Sequence, residues 1–190
     1  MTTAEGLVET SLDTAVETIR KGGLLIYPTE AVYGLGCDYR SSTAVERLLE
    51  LKQRPVDKGL ILAASHVEQI LPLIRPNHGD ELAQALKTWP GHHTWVFRAS
   101  SKVPAWISGA HSTVAVRVSS HPVIKKMCDA LGHAIVSTSA NPAGVEPSSN
   151  IAVIKDVFGP QVDYYLDLPL GEEKNPSQIH NAVDGLTLRL

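Results

Sequence analysis

Hydrophobic and polar positions change periodicity along the chain, and each change marks a predicted element. After Ser11, a residue type that often caps helices, apolar residues recur at helical spacing until Gly22-Gly23 ends the run. The following "LLIYP" (24–28) is continuously apolar, which is typical of a short strand buried on both faces. The chain therefore begins with a predicted helix followed by a buried strand.

Both patterns continue to the end of the chain. Helical patterns lie over "SSTAVERLLELKQ" (41–53), "HVEQILPLI" (66–74), "DELAQALKTW" (80–89), "PVIKKMCDALG" (122–132) and "NIAVIKDVFG" (150–159). Pro72 is expected to break the helix over 66–74 early. Strand patterns lie over "GLILAA" (59–64), "HTWVFRA" (93–99), "STVAVRV" (112–118), "HAIVSTSA" (133–140), "DYYLDL" (163–168) and "QIHNAVDGLTLRL" (178–190). The helix over 41–53 is expected to be capped by Ser42 or Thr43 and to end before Pro55. The irregular alternation predicts an α/β or α+β fold with a twisted mixed sheet and flanking helices, with residues 1–190 forming one domain.

Composition limits the function classes. The 190 residues are 43% hydrophobic with a net charge of −3, so the global positive charge of many nucleic-acid-binding domains is absent. Cys37 and Cys128 form no C-x-x-C pair, which argues against a disulfide framework or a zinc or redox motif. The eight histidines show no helical i,i+4 pair, so no metal site is predicted. Without a signal-peptide pattern or a long apolar segment, we expect a cytoplasmic protein with no membrane partner.

Positive charge is nevertheless concentrated in "LKQRPVDKG" (51–59), where Lys52, Arg54 and Lys58 surround Pro55. One interpretation is a solvated helix end, because cations near a helix C-terminus interact favourably with the helix dipole. The other is a phosphate site, since Arg offers forked donors and Lys a compact charge. Lys52 shares a helix face with Val45, Leu48 and Leu49, yet we expect Lys52 and Arg54 to lie outside the apolar core. This segment alone does not decide between the two interpretations.

Three further segments place polar groups near predicted strands. "YPTEAVYGLG" (27–36) is either a tight loop or a ligand site at which Gly34 and Gly36 permit close backbone approach. The hydroxyl and amide side chains of "VSTSANPAG" (136–144) have two interpretations: they hydrogen-bond to backbone groups of the loop, or they bind a phosphate or ribose. Arg117 lies inside the apolar run "VAVRV", where holding a carboxylate or phosphate is favoured over exposure on an edge strand.

These segments, together with "WPGHHTWVF" (89–97) and "NPSQI" (175–179), resemble the YrdC family from about residue 12 onward. The family's K-x-R motif corresponds to Lys52-Gln53-Arg54, and its S-x-N motif to Ser139-Ala140-Asn141. The resemblance implies a concave, positively charged groove. It also implies synthesis of threonylcarbamoyl-AMP and pyrophosphate from L-threonine, bicarbonate and ATP, with Mg²⁺ accompanying ATP. Separate transfer proteins would then place the threonylcarbamoyl group on adenosine 37 of tRNAs that read codons beginning with A.

The resemblance also assigns residues to the groove. Nucleotide contacts are expected from Lys52, Arg54, Lys58, Ser139, Asn141 and Arg189, and Lys52 and Arg54 would supply catalytic charge. Contacts to threonine and carbamate are expected from Thr29, Arg117, Ser137 and Ser177. This chain departs from the family pattern at two places. Ala31 replaces the second threonine of the P-T-E-T motif, and His92-His93 replaces the P-[LV] pair of the P-G-P-[LV]-T motif. A second function class also stands, an RNA-binding module that uses the same groove weakly.

Overall fold

Within residues 4–189, the part of the chain that the computed structural model describes, six α-helices and ten β-strands follow one another. The helices are α1 (Ala4–Arg20), α2 (Ser42–Lys52), α3 (Gly79–Leu86), α4 (Ala105–Ser108), α5 (Pro122–Leu131) and α6 (Ile151–Phe158). The strands are β1 (Leu25–Pro28), β2 (Tyr33–Gly36), β3 (Ile61–Ala64), β4 (His93–Arg98), β5 (Thr113–Val118), β6 (Ile135–Val136), β7 (Thr138–Ser139), β8 (Tyr164–Tyr165), β9 (Gln178–Asn181) and β10 (Thr187–Arg189). None of the helices in this range is long and apolar enough to cross a membrane.

The strands form two mixed sheets. One sheet has the order β7-β2-β1-β8, in which β1 and β8 are parallel and the other neighbours are antiparallel. The other has the order β10-β9-β4-β5-β3-β6, with parallel pairs β4–β9 and β3–β5. The predicted mixed α/β architecture is confirmed, but two sheets replace the single one expected. The chain passes from one sheet to the other at Ser137, the residue between β6 and β7.

Strand β1 is buried on both faces because its side chains alternate between two hydrophobic clusters. Ile26 belongs to the larger cluster, which draws on both sheets and on α2. Leu25 and Tyr27 belong to the smaller cluster, where they join apolar residues of α1 and α5. Strand β3 shows the same division, with Leu62 in the larger cluster and Ala63 in the smaller. Successive strand residues face opposite sides, so a continuous apolar run is what such a strand requires.

Three helix predictions were wrong in detail. Helix α1 begins at Ala4, so Ser11 lies within the helix and is not its cap. Helix α2 is capped by Ser41, one residue earlier than expected, and the Ser41 Oγ accepts the Ala44 backbone N–H at 3.3 Å. The predicted helix over 66–74 is instead two short 3₁₀ helices. Pro72 accounts for this last difference, because its ring clashes with the preceding turn of an α-helix and it lacks an N–H.

The segment interpreted as a loop after β1 continues as strand β2, which pairs antiparallel with β1. Gly36 lies against the Tyr27 ring and the Val136 carbonyl, and a Cβ there would come within 2.8 Å of a Tyr27 ring carbon. A side chain would therefore clash with the neighbouring strands. Gly36 is required for strand packing and, unlike Gly34, does not line the cleft described below.

Candidate active site

A cleft of about 500 Å³ is lined by residues of both sheets. Strands β2 and β7 contribute Gly34 and Ser139, while β5 and β9 contribute Ala115, Arg117 and Ile179. Its volume falls within the range of small-molecule sites, roughly 300–1,000 Å³. The cleft is therefore large enough for a substrate-sized ligand.

The charged side chains that line the cleft are basic. Arg54, Lys58, Arg117 and Arg189 line it, and none of the described lining residues is Asp or Glu. The whole chain, by contrast, has a net charge of −3. Fixed cations in a concave site attract anionic ligands more strongly than the same charges spread over a surface.

Eight of the ten sequence-predicted site residues line this cleft: Thr29, Arg54, Lys58, Arg117, Ser137, Ser139, Ser177 and Arg189. Lys52 and Asn141 are not among its lining residues. The fold therefore gathers side chains that are separated by up to 160 positions in the sequence, from Thr29 to Arg189 (189 − 29 = 160). Strand pairing brings them together.

Arg54 owes its position to the turn that follows α2. Gln53 ends the helix in the left-handed conformation (φ 51°), and Pro55 starts a 3₁₀ turn over Val56–Lys58. The Arg54 guanidinium donates through Nη2 to the Gly59 carbonyl at 3.0 Å. Partial burial lowers the pKa of Arg54, while Asp57 opposes this shift. An arginine remains charged at neutral pH, so Arg54 presents a half-buried cation to the cleft.

Lys52 is buried at the end of α2, with only 4% of its surface exposed. Its ammonium group donates to the carbonyls of Ser139 at 2.5 Å and Asn141 at 2.6 Å. Burial lowers the pKa of Lys52 to about 8, and the neighbouring Arg54 charge acts in the same direction. The expectation that Lys52 lies outside the core was wrong. The reason is helical spacing, which places Lys52 on the same face as Leu48 and Leu49.

Asn141 orders its own loop. Its amide nitrogen donates to the Pro142 carbonyl at 3.2 Å and also to the Val145 carbonyl. The Asn141 Oδ1 is buried and has no hydrogen-bond partner among the described residues. We infer that both residues hold the segment 139–145 in place. Lys52 donates to two backbone carbonyls of this segment, and Asn141 hydrogen-bonds to two others.

Arg117 lies on β5, between β3 and β4, so the alternative of an edge strand was wrong. Its Nη1 is 3.1 Å from Glu30 Oε2, and both side chains are 6% exposed. The other oxygen, Glu30 Oε1, accepts a hydrogen bond from the Ser119 hydroxyl at 2.5 Å. Burial alone would raise the pKa of Glu30, but the Arg117 charge and the Ser119 hydrogen bond hold it below its usual value. Glu30 thus fixes Arg117 at the cleft wall before any ligand binds.

Hydroxyl groups complete this part of the cleft. The Thr29 hydroxyl donates to the Val32 carbonyl at 2.6 Å and closes the turn between β1 and β2. The Ser177 hydroxyl lies 2.9 Å from the hydroxyl of the fully buried Thr94. Arg189 donates to the Ser177 carbonyl at 2.8 Å, which joins β10 to the segment before β9. We call the part of the cleft formed by Thr29, Arg117 and Ser177 the Arg117 end.

The Sua5/YciO/YrdC family model, described as "Telomere recombination", matches residues 17–189. The chain belongs to the Sua5/YciO/YrdC family. It is 44% identical over 180 residues to the threonylcarbamoyl-AMP synthase of Coxiella burnetii, covering 95% of this chain and 97% of that protein.

Solved family members share the fold. The P. abyssi Sua5 structure in complex with L-threonine superposes with a TM-score of 0.86 at 30% identity, covering 93% of this chain and 52% of Sua5. This chain therefore spans about half the length of that Sua5. E. coli YciO superposes with a TM-score of 0.81 at 27% identity, covering 95% of this chain and 89% of YciO.

In this YrdC-family chain, sequence reasoning missed three side chains of the site, Glu30, Ser119 and His92. A signal for Glu30 was present, because an acid beside a buried strand and an arginine inside an apolar strand each need a partner. In the sequence, His92 stands out only as one of eight scattered histidines and as a departure from the family pattern. The structure places it in the cleft wall beside Arg117.

Proposed function

We propose that this protein is a threonylcarbamoyl-AMP synthase, which converts L-threonine, bicarbonate and ATP into threonylcarbamoyl-AMP and pyrophosphate. As a YrdC-family enzyme of this type it is a transferase that forms a nucleotidyl product. One observation carries the proposal: the relative named for this reaction matches nearly the whole chain. The cleft gives that relationship a physical basis, because every charged side chain lining it is basic.

The reaction explains why a cleft with this charge is needed. The threonine amine forms an N–C bond to bicarbonate carbon, water leaves, and an N-carboxylate anion results. One oxygen of that anion then attacks the α-phosphorus of ATP, and the bond from phosphorus to pyrophosphate breaks. Both partners are anions, so they approach only where fixed cations offset their repulsion, and the leaving pyrophosphate needs the same stabilisation.

The two ends of the cleft suit the two substrates. At the Arg117 end, we assign Arg117 to the α-carboxylate of threonine, with Thr29, Ser137 and Ser177 around the threonine and the carbamate. We assign Arg54, Lys58 and Ser139 to the nucleotide and its phosphates, and Arg189 to the nucleotide at the border with the Arg117 end, because it contacts Ser177. Lys52 and Asn141 support the nucleotide end by holding the segment 139–145. With no covalent intermediate required, catalysis rests on positioning and electrostatics.

Mg²⁺ is proposed to enter with ATP. Among the described residues, no group of three or more His, Cys, Asp or Glu side chains could hold a metal ion. The cleft also presents no carboxylate to a cation. The phosphate oxygens of ATP and water are the ligands left for Mg²⁺, which commonly keeps several waters.

The downstream role follows from the product. A threonylcarbamoyl adenylate is a mixed anhydride that transfers its acyl group readily, so separate tRNA-threonylcarbamoyl transfer proteins are the proposed consumers. We place the reaction in the cytoplasm, where ATP and tRNA are available. A role limited to RNA binding is not favoured, because the relatives are enzymes and the cleft matches a small ligand in volume.

Pyrophosphate release tests the proposal. Purified protein with ATP, Mg²⁺, L-threonine and bicarbonate should release pyrophosphate, and omission of threonine or bicarbonate should abolish the release. Threonine-independent release, or none with all substrates present, would contradict it. Salt-sensitive tRNA binding without ATP turnover would support the RNA-binding alternative instead.

A further inference from the structure

We propose that His92 is a positioning residue that sets the affinity for threonine by bridging the two walls of the Arg117 end. This inference rests on the proposed function, because it takes threonine as the ligand of Arg117. His92 lines the cleft, and its side chain is 14% exposed.

The backbone before His92 is held in place. The Gly91 N–H donates to the Val118 carbonyl at 2.9 Å, which ties this segment to the end of β5. A Cβ on Gly91 would lie only 2.5 Å from the Thr88 carbonyl oxygen, so no other residue fits without backbone movement. The imidazole of His92 is therefore carried by a constrained stretch of chain.

The neighbours of His92 fix its tautomer. Nε2 is 2.7 Å from the Asn175 carbonyl oxygen, which only accepts hydrogen bonds, so Nε2 carries the proton. Nδ1 is 3.3 Å from Arg117 Nη1, and a guanidinium only donates, so Nδ1 is the acceptor. A neutral imidazole with its proton on Nε2 satisfies both contacts at once.

These contacts link Arg117 on β5 to the Asn175–Ser177 segment through a single side chain. Arg117 Nη1 lies between His92 Nδ1 and Glu30 Oε2, and the latter two atoms are 3.9 Å apart. On the opposite side, Asn175 precedes Ser177 by two residues, and Ser177 is held by Thr94. Without the imidazole, Arg117 keeps only Glu30 as a side-chain partner among these contacts, and the Asn175 carbonyl loses its hydrogen bond while Ser177 keeps its contact with Thr94.

The consequence is specific to one substrate. Loss of both contacts should raise the threonine Kd and KM about tenfold, because each hydrogen bond contributes modestly and two act on the same ligand end. The KM for ATP should change less than about twofold, since the hydrogen bonds of His92 go to Asn175 and Arg117 and not to Arg54, Lys58 or Ser139. A carboxamide side chain retains one donor and one acceptor, so His92→Gln should recover most of the affinity.

Threonine binding by calorimetry and steady-state pyrophosphate release would be measured for the wild type, His92→Leu and His92→Gln. His92→Leu fills a similar volume without polar atoms, and thermal unfolding checks that each variant folds. His66→Ala is the matched control, because among the described residues the His66 side chain pairs with Asp129 on the surface and does not line the cleft. If His92→Leu does not fold, the comparison of His92→Gln with His92→Ala replaces it.

A tenfold rise in threonine Kd for His92→Leu, with ATP KM unchanged and partial recovery in His92→Gln, supports the inference. An unchanged threonine Kd overturns it, as does an equal loss of affinity for both substrates. A wild type that neither binds threonine nor releases pyrophosphate refutes the proposed function itself and the role of His92 with it. A wild type that is active while His92→Leu retains its affinity refutes the role of His92 alone.

Discussion

Replacing Lys52 with methionine tests whether a buried ammonium group secures the segment that carries Ser139. In the wild type, Lys52 is 4% exposed and its hydrogen bonds go to two backbone carbonyls. Methionine matches the lysine side chain as far as Cε but lacks the ammonium group, so the charge and both hydrogen bonds are lost. The variant therefore isolates the ionisation of one buried group from the titration of the rest of the protein.

The magnitude follows from the pKa of Lys52, which burial lowers from the ordinary 10.5 to about 8. Between these pH values the unfolded chain binds more protons than the folded one, so the free energy of unfolding rises with pH. The cost of keeping this lysine charged below pH 8 is about 3 kcal/mol. Between pH 7 and pH 10, the wild type should therefore gain about 2 to 3 kcal/mol relative to Lys52→Met.

Urea unfolding of both proteins at pH 7, 8, 9 and 10 measures this difference directly. Other tyrosines, lysines and cysteines titrate in both proteins, so their contributions cancel in the comparison. At pH 7 the difference should be small, because the lost hydrogen bonds and the relieved burial of charge act in opposite directions. Parallel stability profiles would refute the conclusion that Lys52 is buried with a lowered pKa.

Two further substitutions test the two ends of the cleft. Arg54→Ala should reduce kcat/KM about 100-fold in the pyrophosphate assay, because Arg54 faces the cleft. The variant should still fold, since Arg54 lies outside both hydrophobic clusters and loses only its hydrogen bonds to the Lys58 and Gly59 carbonyls, worth about 1 kcal/mol each. The exposed Arg75→Ala is its control, and near-normal turnover in Arg54→Ala would remove the proposed electrostatic role. Glu30→Gln should lower the free energy of unfolding by about 3 kcal/mol in urea titrations, because it leaves the Arg117 guanidinium buried without a counter-charge. A change below about 1 kcal/mol would show that the ion pair contributes little to stability.

Local pattern was sufficient for most elements of the fold. The apolar runs at β1 and β3 and the capped helix at α6 behave as their spacing predicts, with the Asn150 side chain accepting the Ala152 N–H. Strand β2 was missed because its sequence, "YGLG", carries two glycines and resembles a turn. Its strand conformation depends on pairing with β1 and β7, which the local sequence does not encode.

The site was predicted less evenly than the fold. The motifs identified Arg54 and Ser139 as members of one site, and both line the cleft. Helical spacing placed Lys52 on the face of Leu48 and Leu49, but a helix-end lysine is usually solvated, so its burial was not expected. Nor did the motifs show that Arg117 pairs with Glu30, since the two are 87 residues apart (117 − 30 = 87) and meet only through tertiary packing.

The identity of the product tests the central claim most directly. The protein would be incubated with isotopically labelled bicarbonate, L-threonine, ATP and Mg²⁺, and the nucleotides would be analysed by mass spectrometry. We expect a threonylcarbamoyl adenylate that carries the bicarbonate label, that forms only when threonine is present and that is strongly reduced in Arg54→Ala. An adenylate without the label, or consumption of ATP without such a product, would contradict the assignment of this YrdC-family protein as a threonylcarbamoyl-AMP synthase.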